Sequence, residues 1–194
     1  MFKIKSAKTQ VVALAAAGTV ALSSVLGSGM ALANPMNLVP NPSFESVNFS
    51  ATGPDIVGWA KESKGTGAKI GLTKFATDGK YAVYVYASKP ANKGWPGFTT
   101  ENIIPVDPSK EYTFSASYYA PGNLPGYYPG IPWMDMTLFD ATGKQLGAVS
   151  TGSSSNQIIN AWHEKTYTFK PEALKKYFPD IAGVKLGLKL SLNY

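Results

Sequence analysis

Between residues 111 and 120 the chain reads EYTFSASYYA, and its character changes at every step. Tyr112, Phe114, Ala116 and Tyr118 form an apolar set; Thr113, Ser115, Ser117 and Tyr119 form the other. This period of two predicts a strand with one face in a core and one face outside it. Residues 133–140, WMDMTLFD, repeat the pattern. Met134, Met136 and Leu138 suit the core, and Trp133, Asp135, Thr137 and Phe139 face away from it. In 80–88, KYAVYVYAS, Tyr81, Val83 and Val85 suit the core while Ala82, Tyr84 and Tyr86 take the opposite face.

Shorter β-branched and aromatic runs predict further strands at 37–46, 56–63, 68–75, 97–106, 145–150, 161–170 and 183–192. Turn sequences separate several of them: TDGK at 77–80, DPSK at 107–110 and ATGK at 141–144. One short helix is expected at 171–178, with Pro171 at its start, Glu172 early and lysines late. Nineteen glycines and 14 prolines punctuate these runs. The pattern predicts an all-β sandwich.

The outward faces carry the chemistry. Three strands pair a core face with a face of small polar residues and large aromatics. That composition matches a sugar-binding surface, where ring faces stack on pyranose C–H groups and nearby polar groups bond the hydroxyls. The candidate ligand-binding residues are Tyr84, Tyr86, Tyr119, Trp133 and Asp135, with Trp95 at the tip of NKGWPGF. PGNLPGYYPGIPW, residues 121–133, adds Tyr127 and Tyr128 on a loop stiffened by proline, a preformed wall for a groove. The alternative is that these aromatics cover sheet faces and edges without binding anything.

The first residues read differently. Lys3, Lys5 and Lys8 precede a small-residue apolar stretch that ends in Ala31-Leu32-Ala33. This is the order of a secretory signal with its cleavage site, so residues 1–33 are expected to be removed and 34–194 to form one domain. No later stretch is long and apolar enough to span a bilayer. Removal of three lysines takes the +6 net charge to +3. All 18 basic residues are lysine, so there is no bidentate fork for phosphate or guanine, and nucleic acid is not expected as a partner. Diffuse lysine charge suits loose attraction to an anionic cell wall. There is no cysteine, which excludes a disulfide scaffold and a lipid-modified cysteine anchor. A leader without cysteines suits a secreted, extracellular or cell-surface bacterial protein.

The start of that domain, NLVPNPSFES followed by Gly58-Trp59, resembles the opening of the family 4 and family 9 carbohydrate-binding modules. DGKYAVYV, TTENIIPVDPSKEYTFSASYYA, MTLFDATGKQL and AWHEKTYTF resemble later strands of those modules, in the same order. The resemblance covers about residues 37–190. It implies a galactose-binding-like β-jelly-roll, a two-sheet antiparallel β-sandwich that binds polysaccharide in a cleft on one sheet face. It also implies a structural calcium near the first strand, with Glu45 as a metal ligand. Two departures stand out: Asn41-Pro42 replaces the family's Asn-Gly, and no carboxylate follows Asp180.

Catalysis is not expected. No acid sits in a recognisable glycosidase motif, no serine sits in a nucleophile elbow, and the one histidine, His163, cannot alone hold zinc. The favoured function is a secreted, non-catalytic module that binds a polysaccharide or cell-wall glycan. The alternative is a cell-surface or extracellular-matrix protein that uses the fold for assembly, with a protein partner added at an open strand edge.

Overall fold

The computed structural model describes residues 21–25, 37–63, 66–77, 79–87, 93–120, 131–150 and 160–192. The strands are β1 (Ala21–Val25), β2 (Val47–Ser50), β3 (Gly53–Ile56), β4 (Trp59–Glu62), β5 (Lys69–Thr73), β6 (Ala82–Tyr86) and β7 (Gly97–Thr100). They continue with β8 (Ile104–Pro105), β9 (Glu111–Ala120), β10 (Ile131–Phe139), β11 (Gln145–Ser150), β12 (Ala161–Phe169) and β13 (Gly183–Ser191). One helical turn, α1 (Pro171–Leu174), precedes β13. The fold is an all-β sandwich of antiparallel sheets.

The larger sheet has the order β11-β10-β13-β7-β4, with β8 also pairing to β13. A second sheet has the order β1-β9-β12, and β2-β3 and β5-β6 are hairpins. Between the two sheets lies the core. Met134, Met136, Leu138, Val184, Leu186, Leu188 and Phe98 enter it from the larger sheet. Tyr112, Phe114, Ala116 and Phe169 enter from the second, and Val83 and Val85 from β6. The alternation read in 111–120 and 133–140 therefore sorts the faces as expected, because burial follows the pleat. In 80–88 Val83 and Val85 follow it, but Tyr81 is only half buried and Ala82, expected on the outer face, is fully buried beneath Tyr84, Tyr119 and Trp162. β9 and β11 have the expected bounds, and the expected helix shortens to a single turn.

Residues 37–46 depart from the strand expected there. They form a turn, with Asn41 at φ 44° and Phe44 at φ 62°, backbone that no strand contains. The cause is local. Pro40 and Pro42 lack N–H donors for a ladder, and the Asn41 side chain supplies the missing order. Its Nδ2 donates to the Ser46 and Val57 carbonyls at 2.9 and 3.1 Å, and its Oδ1 accepts from the Ser46 N–H at 3.0 Å. Trp59 Nε1 donates to the Pro40 carbonyl at 3.0 Å, and the Trp59 ring lies 5.3 Å from that of Phe44. The turn thus anchors β4, one edge of the larger sheet.

Ala21–Val25, inside the expected leader, pairs antiparallel with β9 from Ala21 opposite Ser115 to Val25 opposite Glu111. No helix among the described residues is long and apolar enough to cross a membrane.

Candidate functional site

The outward face of the larger sheet carries a row of residues set by strand register. Trp133 on β10 stands opposite Lys189 on β13, Lys189 opposite Gly97 on β7, and Gly97 opposite Glu62 on β4. The next row runs Ser150, Asp135, Gly187, Thr99 and Ala60. These rows form the floor of a cleft of about 460 Å³, with Trp133, Trp95, Glu62, Lys189, Asp135 and Thr99 in its lining.

Glycine shapes the floor. A Cβ on Gly97 would lie 2.1 Å from the Leu188 carbonyl oxygen, so β7 can approach β13 only without one. The Lys189 stem lies over Gly187, and its ammonium pairs with Glu62 on β4. Lys189 is only 6% exposed, and an unpaired charge there would be costly. The Asp135 carboxyl lies over Gly187, where a Cβ would meet Asp135 Oδ1 at 1.8 Å.

The two carboxyls have opposite tendencies. Burial pushes Asp135 above the usual carboxylate range; the nearby Lys189 charge opposes this and Glu62 adds to it. Burial also raises Glu62, but the Lys189 hydrogen bond, the Thr99 hydroxyl and the charges of Lys189 and Lys185 outweigh it and hold Glu62 low. The Thr99 hydroxyl lies close enough to Glu62 for that influence, yet it is buried without meeting hydrogen-bond geometry to any described group.

Asp135 makes a stability prediction. Its folded-state pKa exceeds the unfolded one, so folding is penalised once pH rises through the unfolded value, and fully penalised above the folded value. Asp135→Asn should therefore melt higher than wild type at pH 7, with the difference fading as pH falls below the carboxylate range. Thermal melts between pH 3 and pH 7 check this, and a constant difference at all pH values would contradict it.

Trp95 sits on the segment before β7 and is 53% exposed. The Gly94 and Pro96 carbonyls on either side accept from the Leu192 and Leu190 N–H groups at 2.9 and 2.8 Å, which ties the segment to β13. Beyond Trp95 a second depression of about 500 Å³ continues, sharing Glu62 and Trp95 and adding Lys61 and Lys93.

The other candidate residues are elsewhere. Tyr119 points outward from the second sheet, on the far side of the core from Trp133. Its ring lies 5.6 Å from Trp162 and 4.8 Å from Phe75, and Phe75 stacks on Trp162 at 5.5 Å. Tyr84 belongs to the same small cluster around Ala82 and lies across Gly71 on the neighbouring strand. Tyr86 lies under the Lys69 ammonium, 5.9 Å from its ring centre. The expected single cleft is thus divided: Trp95, Trp133 and Asp135 share one face, while Tyr84 and Tyr119 share a cluster on the opposite side. Tyr127 and Tyr128 lie outside the described residues.

Glu45 has a structural task. Its Oε1 accepts from the Lys80 and Tyr81 N–H groups, both at 2.8 Å, and so clamps the chain entering β6. Calcium takes six to eight oxygens. What the described residues present to Glu45 Oε1 is donors, and among them no group of three His, Cys, Asp or Glu is placed to hold a metal.

No protein-family model matches the chain, and no curated protein matches it. Among solved structures, it is similar to the enzymatically active domain of tailspike protein 4 from bacteriophage CBA120. The TM-score is 0.50 at 10% identity, over 71% of this chain and 18% of that one. It overlays on a CBM22-1 xylan-binding domain from Paenibacillus barcinonensis with TM-score 0.46 and 14% identity, over 69% of this chain and 75% of that one. A cyclase from Fischerella sp. TAU gives TM-score 0.48 and 17% identity, over 71% and 77%. At 10% identity the tailspike likeness is one of fold, the antiparallel β-sandwich, and the other two add nothing to it.

Proposed function

We propose that the protein is a secreted, non-catalytic module that binds a polysaccharide in the cleft between Trp133 and Trp95. One observation carries the reading: two tryptophans flank a floor of buried or half-buried polar groups on a sheet face that points away from the core. Tryptophan rings give a sugar a large apolar contact at low ordering cost, and carboxyls, an ammonium and a hydroxyl bond its OH groups. The resemblance to the family 4 and family 9 modules supports the same reading. Lys189 neutralises Glu62, so a neutral glycan finds that ion pair already formed.

Affinity electrophoresis through gels containing β-glucan, mannan, xylan or a cell-wall polymer tests this. Retardation by at least one polymer is expected, and equally with calcium or with chelator, since the Glu45 clamp uses backbone donors. A loss of retardation in chelator would return Glu45 to a metal role, and no retardation in any gel would sink the proposal.

A second reading has its own observation. The Phe75–Tyr119–Trp162 cluster leaves Phe75 half exposed on the opposite side of the sandwich, which suits assembly with another protein through an aromatic patch. Concentration-dependent oligomers lost on Phe75→Ser, with no retardation by any glycan, would favour it.

A further inference from the structure

We infer that β1 is a placeholder strand. In the full chain it holds the edge of β9 that the chain's own β6 takes once residues 1–33 are removed, which makes the smaller layer of the sandwich one sheet, β12-β9-β6-β5. The inference rests on the reading of those residues as a leader. It concerns the side of the sandwich away from the polysaccharide cleft.

The order of the smaller layer follows from what each strand packs against. Phe178, which follows β12 and α1, lies against Gly147 of β11. Ala116 of β9 and Lys165 of β12 share a small pocket with Met134 of β10 and Leu188 of β13. β6 contacts β13, and β5 and β4 both contact β3. Against the larger sheet, β11-β10-β13-β7-β4, the smaller layer therefore runs β12, β9, β6, β5. β9 carries β12 on one edge and β1 on the other, so β1 lies on the edge that faces β6.

β6 is already committed to that neighbourhood. Val83 and Val85 are buried in the same core as Phe114 and Ala116. Ala82, at the start of β6, is buried beneath Tyr119 and Trp162, and Phe75, just before it, lies 4.8 Å from the Tyr119 ring. β6 thus touches the far end of β9 while β1 holds the near end, Glu111–Ser115. Yet among the described strands β6 ladders to β5 alone, and β1 ladders to β9 and not to β6. The layer is broken between two strands whose side chains share one core. A ladder across the break would give the backbone groups of both edges partners.

Strand preference decides the better occupant. β1 reads ALSSV, whereas β6 reads AVYVY, β-branched and aromatic after its first residue. With Ala82 beside Tyr119, an antiparallel ladder sets Val83 opposite Tyr118 and Val85 opposite Ala116, core residue to core residue. While the leader is attached this pairing is blocked and the domain is less stable. That order of events suits export of an unfolded chain.

The test uses the full chain with a specific protease site inserted after Ala33, folded first and then cut. Amide hydrogen exchange is followed by NMR before and after the cut. After it, the amides of Ala82–Tyr86 that point toward β9 should exchange about tenfold or more slower, and those of Glu111–Ser115 should stay protected. NOE contacts should appear between backbone protons of 82–86 and 115–119. A second arm needs no cut: the full chain carrying Leu22→Pro and Ser23→Pro together. Adjacent N–H groups point to opposite edges of a strand, so one of the two prolines removes a donor from the β1–β9 ladder. β6 should gain the same protection there. Loss of protection at 111–115 with β6 unchanged would overturn the inference, because the edge would then stay open. Unchanged exchange at both strands in both arms also overturns it. So does protection of 111–115 that rises with protein concentration, the sign of a second copy on the edge. None of these outcomes bears on the polysaccharide cleft, which the gels read separately.

Discussion

Trp133→Ala should weaken polysaccharide binding by about 30-fold or more and leave a cooperative thermal transition in place. The size follows from position. Trp133 flanks the floor, cross-strand from the buried Lys189 and in the next outward position to Asp135. Its alternating neighbours Pro132 and Met134 face the other way and are buried, so the core does not need the indole. Large, partly buried aromatic anchors of this kind dominate binding energy, while exposed residues contribute little. Trp95, more exposed and at the boundary of two depressions, should show a smaller loss. Fluorescence titration with the glycan selected in the gels measures both. Unchanged affinity in Trp133→Ala would remove the cleft as the site.

Phe114→Ala should cost about 3–5 kcal/mol of stability. Phe114 is fully buried between the two sheets and belongs to the main core cluster. Against a total stability of about 5–15 kcal/mol, that loss unfolds a large share of molecules on modest warming. Ser115, the next residue along, points away from the core, and Ser115→Ala should fall within about 0.5 kcal/mol of wild type. Urea unfolding of the pair checks the alternation itself. Similar losses in the two variants would mean that β9 does not face the core as described.

Where the sequence was most legible, period-two alternation was sustained. Residues 111–120 and 133–140 announced both their strands and their faces, because eight or ten residues of alternation leave little freedom of register. Short elements were less legible. The β2-β3 hairpin has mostly exposed or half-buried residues, so no apolar rhythm marks it. The turn at 37–46 depends on the Asn41 side chain bonding backbone five and 16 residues away, which no local pattern reveals.

The site was half legible for a related reason. Alternation says whether a residue faces the core or the outside, but not which sheet it belongs to. Tyr119 and Trp133 are both outward, yet they stand on opposite sides of the sandwich. Of the polar floor only Asp135 was read; Lys189, Glu62 and Thr99 were missed. Its signal was present in GVKLGLKLS, where Val184, Leu186, Leu188 and Leu190 alternate with Lys185, Gly187, Lys189 and Ser191. Reading that strand as two faces would have placed Lys189 on the outward face, though not beside Trp133, which the β10-β13 pairing decides. Glu62 and Thr99 join them only through the strand order β10-β13-β7-β4, a nonlocal fact.

Mapping amide and indole shifts on an NMR titration with the selected oligosaccharide tests the central claim most directly. The account predicts shifts concentrated at Trp133, Asp135, Gly187, Lys189, Thr99 and Trp95, with Tyr119 and Trp162 unmoved. Shifts centred on Tyr119, Trp162 and Phe75, with the Trp133 indole unmoved, would contradict it and place binding on the other side of the sandwich.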